Sequence, residues 1–223
     1  MKKQVMTAAI AAVLMLSGTG RAEPPVRNDD LLALYRDVRG PDCNPTNDAM
    51  GMITASTHPD TLLFNHNRGP AGTAAASCSP VLAPDGHQLT LAEFKAAEGR
   101  IVASCIESGT HAATHFSGLL PKGTYSVWLF SVSPSAAAPV YLGAGSLGRT
   151  EQTENFFTAS DGGEGELSAT TPEEDLSAFG HIGGCFLDSI VEVHLVYHSD
   201  GQTHGALPGP NDAWVVNARF FFP

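Results

Sequence analysis

Thr124-Tyr125-Ser126-Val127-Trp128-Leu129-Phe130-Ser131-Val132 is the stretch that decides the fold class. Tyr125, Val127, Leu129 and Ser131 alternate with Ser126, Trp128, Phe130 and Val132, a period of two that belongs to a strand and not to a helix. The aromatic and β-branched content suits a pleated, packed surface. Upstream, Ala112, Thr114 and Phe116 alternate with His111, Ala113 and His115, and Ile101, Ala103 and Cys105 alternate with Val102, Ser104 and Ile106. A Ser108-Gly109 turn separates these two runs. Downstream, the pattern predicts strands over 139–143, 154–159, 165–171, 186–198 and 213–222, with turn signals roughly every 8–15 residues. The expectation is a mainly β fold, an antiparallel β-sandwich of Ig-like or jelly-roll-like type with about seven to nine strands over residues 100–223.

The run Gly118-Leu119-Leu120-Pro121-Lys122-Gly123-Thr124-Tyr125-Ser126-Val127-Trp128 resembles a turn and strand common in bacterial extracellular sandwich modules. The resemblance spans only those residues. It implies the sandwich fold and implies no activity.

Residues 23–99 read differently, as a loop-rich segment with two short helices. Asn28-Asp29-Asp30 precedes Leu31, Leu34, Tyr35 and Val38 at helical spacing, and Gly40-Pro41 is a stop, which predicts a helix near 29–39. Thr90 with Glu93 forms a capping box, Leu91, Phe94 and Ala97 share a face, and Gly99 is a stop, which predicts a second helix over 91–98. Between them, 41–60 and 69–85 are rich in Pro, Gly, Asn, Asp, Ser and Ala and read as loops, with a short strand at 61–65.

The first 22 residues have the layout of a signal peptide. Lys2 and Lys3 are followed by an apolar run from Met6 to Leu16, then Ser17, Gly18, Thr19 and Gly20, with a cleavage site after Ala22. The run is shorter than the about 20 apolar residues that span a bilayer. The expected location is periplasmic or secreted, with no membrane insertion after cleavage. Loss of Lys2, Lys3 and Arg21 would take the net charge from −11 to −14. That acidic balance argues against nucleic acid as a partner and leaves cations, metal ions, a protein or a glycan. Four cysteines, Cys43, Cys78, Cys105 and Cys185, make an even count in an exported chain, which predicts two disulfides. Of three pairings, Cys43–Cys78 and Cys105–Cys185 is favoured, one stapling the loop-rich segment and one joining two strands. No Cys-x-x-Cys spacing supports a four-cysteine zinc site.

No complete catalytic signature is present. The densest run of potential ligands is Glu192-Val-His194-Leu-Val-Tyr197-His198-Ser-Asp200-Gly201-Gln-Thr-His204. With Val191, Val193, Leu195 and Tyr197 facing the core, Glu192, His194 and His198 share the other face. His194 and His198 then stand ~13 Å apart along the strand, too far to share one ion with bonds of about 2 Å. An Asp200-Gly201 two-residue hairpin would place His204 with Tyr197, opposite His198; a three-histidine site needs a longer loop. The metal geometry that survives pairs one of His111 and His115 with one of His194 and His198 if their strands are neighbours, with Glu192 as a further ligand. Copper or zinc suits such a set. The competing reading is an inert, hydrogen-bonded sheet face. Asp161, Glu164 and Glu166 are a calcium candidate without the EF-hand ligand order. The glycines 143, 145 and 148 follow a strand but precede no apolar helix, so they read as a loop and not a dinucleotide site. Trp128, if exposed, would offer a stacking platform for sugar rings.

Overall fold

The computed structural model describes residues 24–68, 76–132, 141–149, 154–178, 184–188, 191–205, 207 and 209–222. The expected signal segment lies outside them. In chain order the strands are β1 (Val26–Asn28), β2 (Leu32–Ala33), β3 (Val38–Arg39), β4 (Phe64–Asn65), β5 (Glu98–Ile106), β6 (Gly109–Ser117), β7 (Thr124–Val132), β8 (Tyr141–Ser146), β9 (Phe156–Thr158), β10 (Gly165–Pro172), β11 (Val191–His198) and β12 (Trp214–Phe222). Two short helices accompany them, α1 (Leu91–Lys95) and α2 (Glu173–Ala178), with a 3-10 turn at Phe186–Asp188. The protein is mainly β, and every strand pair is antiparallel.

One sheet has the order β1-β5-β6-β10. A second runs β2-β12-β11-β7-β8, with β9 also on β7, and β3 pairs with β4 separately. One hydrophobic core draws on both large sheets: Ile101, Ala103, Ala112, Phe116, Leu167 and Ala169 from the first, Tyr125, Val127, Leu129, Val193, Leu195 and Tyr197 from the second. Phe116 lies 6.1 Å from Phe220 between ring centres. The alternation along β7 and β11 therefore places its inward set where the period of two requires. A bulge between Leu195 and Val196 skips Asn217 on β12, so Val215 and Phe220 both reach the core despite their odd and even numbers.

The outer face of the second sheet is also covered. Trp128, Val196, Trp214 and Val216 form a smaller apolar cluster against Leu34 and Phe130. The upper edge of β12 is closed by the N-terminal stretch. Asn65 and Asn67 each donate from Nδ2 to the Trp214 carbonyl, at 3.0 and 3.3 Å. The Val216 amide donates to Asp37 at 3.3 Å, and the Leu34 amide donates to the Asn217 carbonyl at 3.0 Å.

The helix expected near 29–39 does not form. Residues 32–33 and 38–39 are strands, with a turn between them. The physical reason is a split allegiance: Leu31, Tyr35 and Val38 pack on the main core, whereas Leu34 packs on the tryptophan cluster. A helix would put all four on one face, and a lone helix of about ten residues is marginal without that shared face. At Thr90 both hydrogen bonds of the capping box are made, but α1 stops at Lys95 and Glu98 already belongs to β5. Conversely, α2 was not expected. Thr171-Pro172-Glu173-Glu174 carries its signal, a hydroxyl, a proline and acidic residues at a helix start. Gly143 and Gly145 lie in β8 rather than in a loop.

Both disulfides are made, Cys43–Cys78 with 5.7 Å and Cys105–Cys185 with 5.4 Å between Cα atoms. Cys185 sits just before the 3-10 turn, so the second bridge ties β5 to a turn and not to another strand. Each bridge contributes roughly 2–4 kcal/mol. Among the described residues, no helix is long and apolar enough to cross a membrane.

Candidate metal centre

β11 carries three polar residues on its outer face, Glu192, His194 and His198, and its two ends differ. At one end, His194 is fully buried, and its Nε2 meets Glu192 Oε2 at 2.7 Å. Glu192 also accepts from Arg219 Nη1 on β12, and Phe130 stacks on the His194 ring with centroids 4.1 Å apart. Burial pushes the His194 imidazole below its ordinary range and outweighs the opposing pull of Glu192. Burial thus favours the neutral ring, in which Nε2–H donates to the carboxylate. Glu192 is engaged by a guanidinium, so a metal ion there would face an existing cation.

At the other end, His198 closes β11 and is 1% exposed. Its Nε2 lies 2.7 Å from Ser126 Oγ on β7, and Ser126 Oγ accepts from Trp128 Nε1 at 2.8 Å. Nδ1 of His198 has no hydrogen-bond partner among the described residues. Burial pushes this imidazole down to about 4, with Asp200 opposing and His204 reinforcing the shift. A neutral imidazole is the form that binds metal ions.

Beyond His198 the expected two-residue hairpin does not close. On the side of β11 that the hairpin would occupy stands β12, with His198 opposite Trp214, and the described residues between them, 199–205, 207 and 209–213, belong to no strand. The loop turns at once: the Gly201 amide donates to the His198 carbonyl, Gly201 has φ +69°, and the Gln202 amide donates to Asp200 Oδ1 at 3.0 Å. The chain then folds back, so that His204 Nε2 lies 2.9 Å from Asp200 Oδ2 and its ring stands 6.2 Å from that of His198. One ligand atom from each of His198, Asp200 and His204 lies within 4.8 Å of the other two, the one such grouping among the described residues. Zinc bonds of about 2.0–2.1 Å place tetrahedral ligand atoms roughly 3.4 Å apart, so the widest pair would close by about 1.5 Å at most. Two imidazoles and a carboxylate suit zinc, copper, nickel or iron. Three protein ligands leave a position for water or an exchanging molecule.

The other predicted ligands are not brought together. β6 and β11 belong to different sheets, so the cross-strand pairing of their histidines does not arise. His111 Nδ1 lies 3.2 Å from Thr170 Oγ1 and His115 Nδ1 lies 2.9 Å from Glu166, both on β10. Of the calcium candidates, Glu166 thus pairs with His115, and Asp161 faces Lys122 at 3.5 Å. Trp128 is 7% exposed and Trp214 is 4% exposed, so neither presents a ring to a sugar. Of this grouping, His198 is among the candidate ligands read from the sequence, His204 enters that reading only with a longer loop, and Asp200 reads as a hairpin residue because it precedes Gly201. The signal against that hairpin is the sequence 202–213, which has no apolar alternation and carries Pro208-Gly209-Pro210.

The chain matches no protein-family profile, and no curated protein matches it.

Proposed function

We propose that the protein is an exported metal-binding protein that holds one divalent transition-metal ion, copper or zinc, on His198, Asp200 and His204. One observation carries the reading: one ligand atom from each of His198, Asp200 and His204 lies within 4.8 Å of the other two, whereas His194, whose Nδ1 is buried and unpartnered like that of His198, belongs to no such grouping among the described residues. A buried polar atom without a partner is costly, and a metal bond would satisfy it. Export to the periplasm or beyond is supported by the signal-like first 22 residues and by two disulfides, which persist in oxidising compartments. A sandwich arrangement is supported by the single core drawn from both large sheets.

The test is a titration of the purified, chelator-treated protein with Zn2+ and Cu2+, followed calorimetrically. One equivalent is expected to bind, and His198→Ala and His204→Ala are each expected to lose at least about tenfold in affinity. Binding unchanged in both variants, or none in the parent protein, would overturn the proposal.

A further inference from the structure

The chain has two tryptophans, and each indole N–H points at the scaffold behind one of the two histidines. Trp128 Nε1 donates to Ser126 Oγ at 2.8 Å, and the same oxygen lies 2.7 Å from His198 Nε2. Trp214 Nε1 donates to the Gly209 carbonyl at 3.3 Å. Gly209 is the floor under His204. A Cβ there would fall 2.2 Å from His204 Cδ2 and 2.7 Å from Nε2, and Gly209 has φ +96°, where side chains are strained. Both indoles share one apolar cluster with Val196 and Val216, so the two supports stand on one rigid base.

Resting on the metal reading above, we infer that Ser126 and Gly209, held by Trp128 and Trp214, are positioning residues that set the two histidines for the ion before it arrives. An indole N–H is a donor only, so it takes one lone pair of Ser126 Oγ. We assign the other lone pair to the His198 Nε2–H; the reverse bond, Ser126 Oγ–H donating to Nε2, would place the proton on Nδ1 and is the overturning outcome of the NMR test below. The proton then sits on Nε2, and Nδ1 keeps a free lone pair as the ligand atom. This is the arrangement in which a second hydrogen bond fixes the tautomer of a metal-binding histidine. Gly209 does the equivalent for His204 by shape: only a residue without Cβ lets that ring lie against the loop backbone and reach Asp200.

Two measurements test this, one of them without metal. Long-range proton–nitrogen NMR of the metal-free protein should show His198 with a protonated Nε2 and an unprotonated Nδ1, and Ser126→Ala should give a mixture of tautomers. Zn2+ affinity should fall about 10–100-fold in Ser126→Ala, recover in Ser126→Thr, and fall by a similar factor in Gly209→Ala. Trp214→Phe, which keeps Gly209 but removes its donor, serves if Gly209→Ala fails to fold, and a smaller loss is expected there. A protonated Nδ1 in the parent protein overturns the inference, as does parent-like Zn2+ affinity in Ser126→Ala with either Gly209→Ala or Trp214→Phe. If the parent binds no Zn2+ yet shows the protonated Nε2, the proposed function fails and the assignment of Ser126 stands.

Discussion

His194 and His198 lie four residues apart on one strand face, both are buried, and each leaves Nδ1 without a hydrogen-bond partner among the described residues, yet their neighbours differ. His194 is closed in by Glu192, Arg219 and Phe130, all on β7, β11 or β12. His198 spends one nitrogen on Ser126, while residues of the following loop, Asp200 and His204, gather beside it. The difference teaches that burial and residue type do not make a metal site. At the His194 end the carboxylate has a guanidinium partner, and at the His198 end the carboxylate of Asp200 has an imidazole partner, His204.

The largest effect should come from breaking the closed end. Glu192→Ala leaves the His194 N–H unsatisfied and the Arg219 charge without its partner. Since the Arg219 side chain is 30% exposed and can be rehydrated, the loss should fall near the low end for such pairs, about 3 kcal/mol. Denaturant unfolding measures it, and Zn2+ affinity should hold. A loss of binding in that variant would mean that the two ends are coupled.

Slightly smaller is the gain from filling the open end. Metal at about 100 times its dissociation constant should stabilise the fold by about 2.7 kcal/mol, or roughly 5–10 °C in Tm for a chain of this size. Thermal scans with and without chelator read the shift, and His204→Ala should lose most of it.

Acid should act through both buried imidazoles. The unfolded chain takes up protons below about 6.5, whereas folded His198 resists down to about 4 and His194 is also depressed. Their contribution is therefore fully present above pH 6.5 and is lost as the pH falls through that window. Metal-free protein unfolded in urea across the window should show this slope, and His198→Gln should flatten it. The smallest effect belongs to the other sheet: His115→Ala, on a half-exposed pair with Glu166, should change stability by no more than about 0.5 kcal/mol.

Much of the fold was legible because strand periodicity is local. The alternation along β7 and β11 separated two faces, and for β11 it gave the core-facing set; the capping box at Thr90 was readable from residue type and spacing, and the favoured one of three disulfide pairings is made. The stretch 29–39 was not, because Leu34 and Tyr35 serve two different clusters, and no spacing rule tells a helix face from two separate destinations. At the candidate site, His198 was legible as a strand residue facing away from the core. The return of His204 was not, since a loop from 199 to 213 is shaped by Gly201, Gly209 and the indole of Trp214, contacts distant from the Asp200-Gly201 pair that suggests a hairpin.

By itself, the sequence determined the β character, the division of each long strand into two faces, the acidic charge and the cysteine count, all of which follow from backbone period and residue chemistry. Only the tertiary structure decided which histidines have company. Which strands become neighbours, and where a long loop folds back, depend on side chains far apart in the chain meeting in one core, and that is why β6 and β11 part company while His204 comes to lie beside His198.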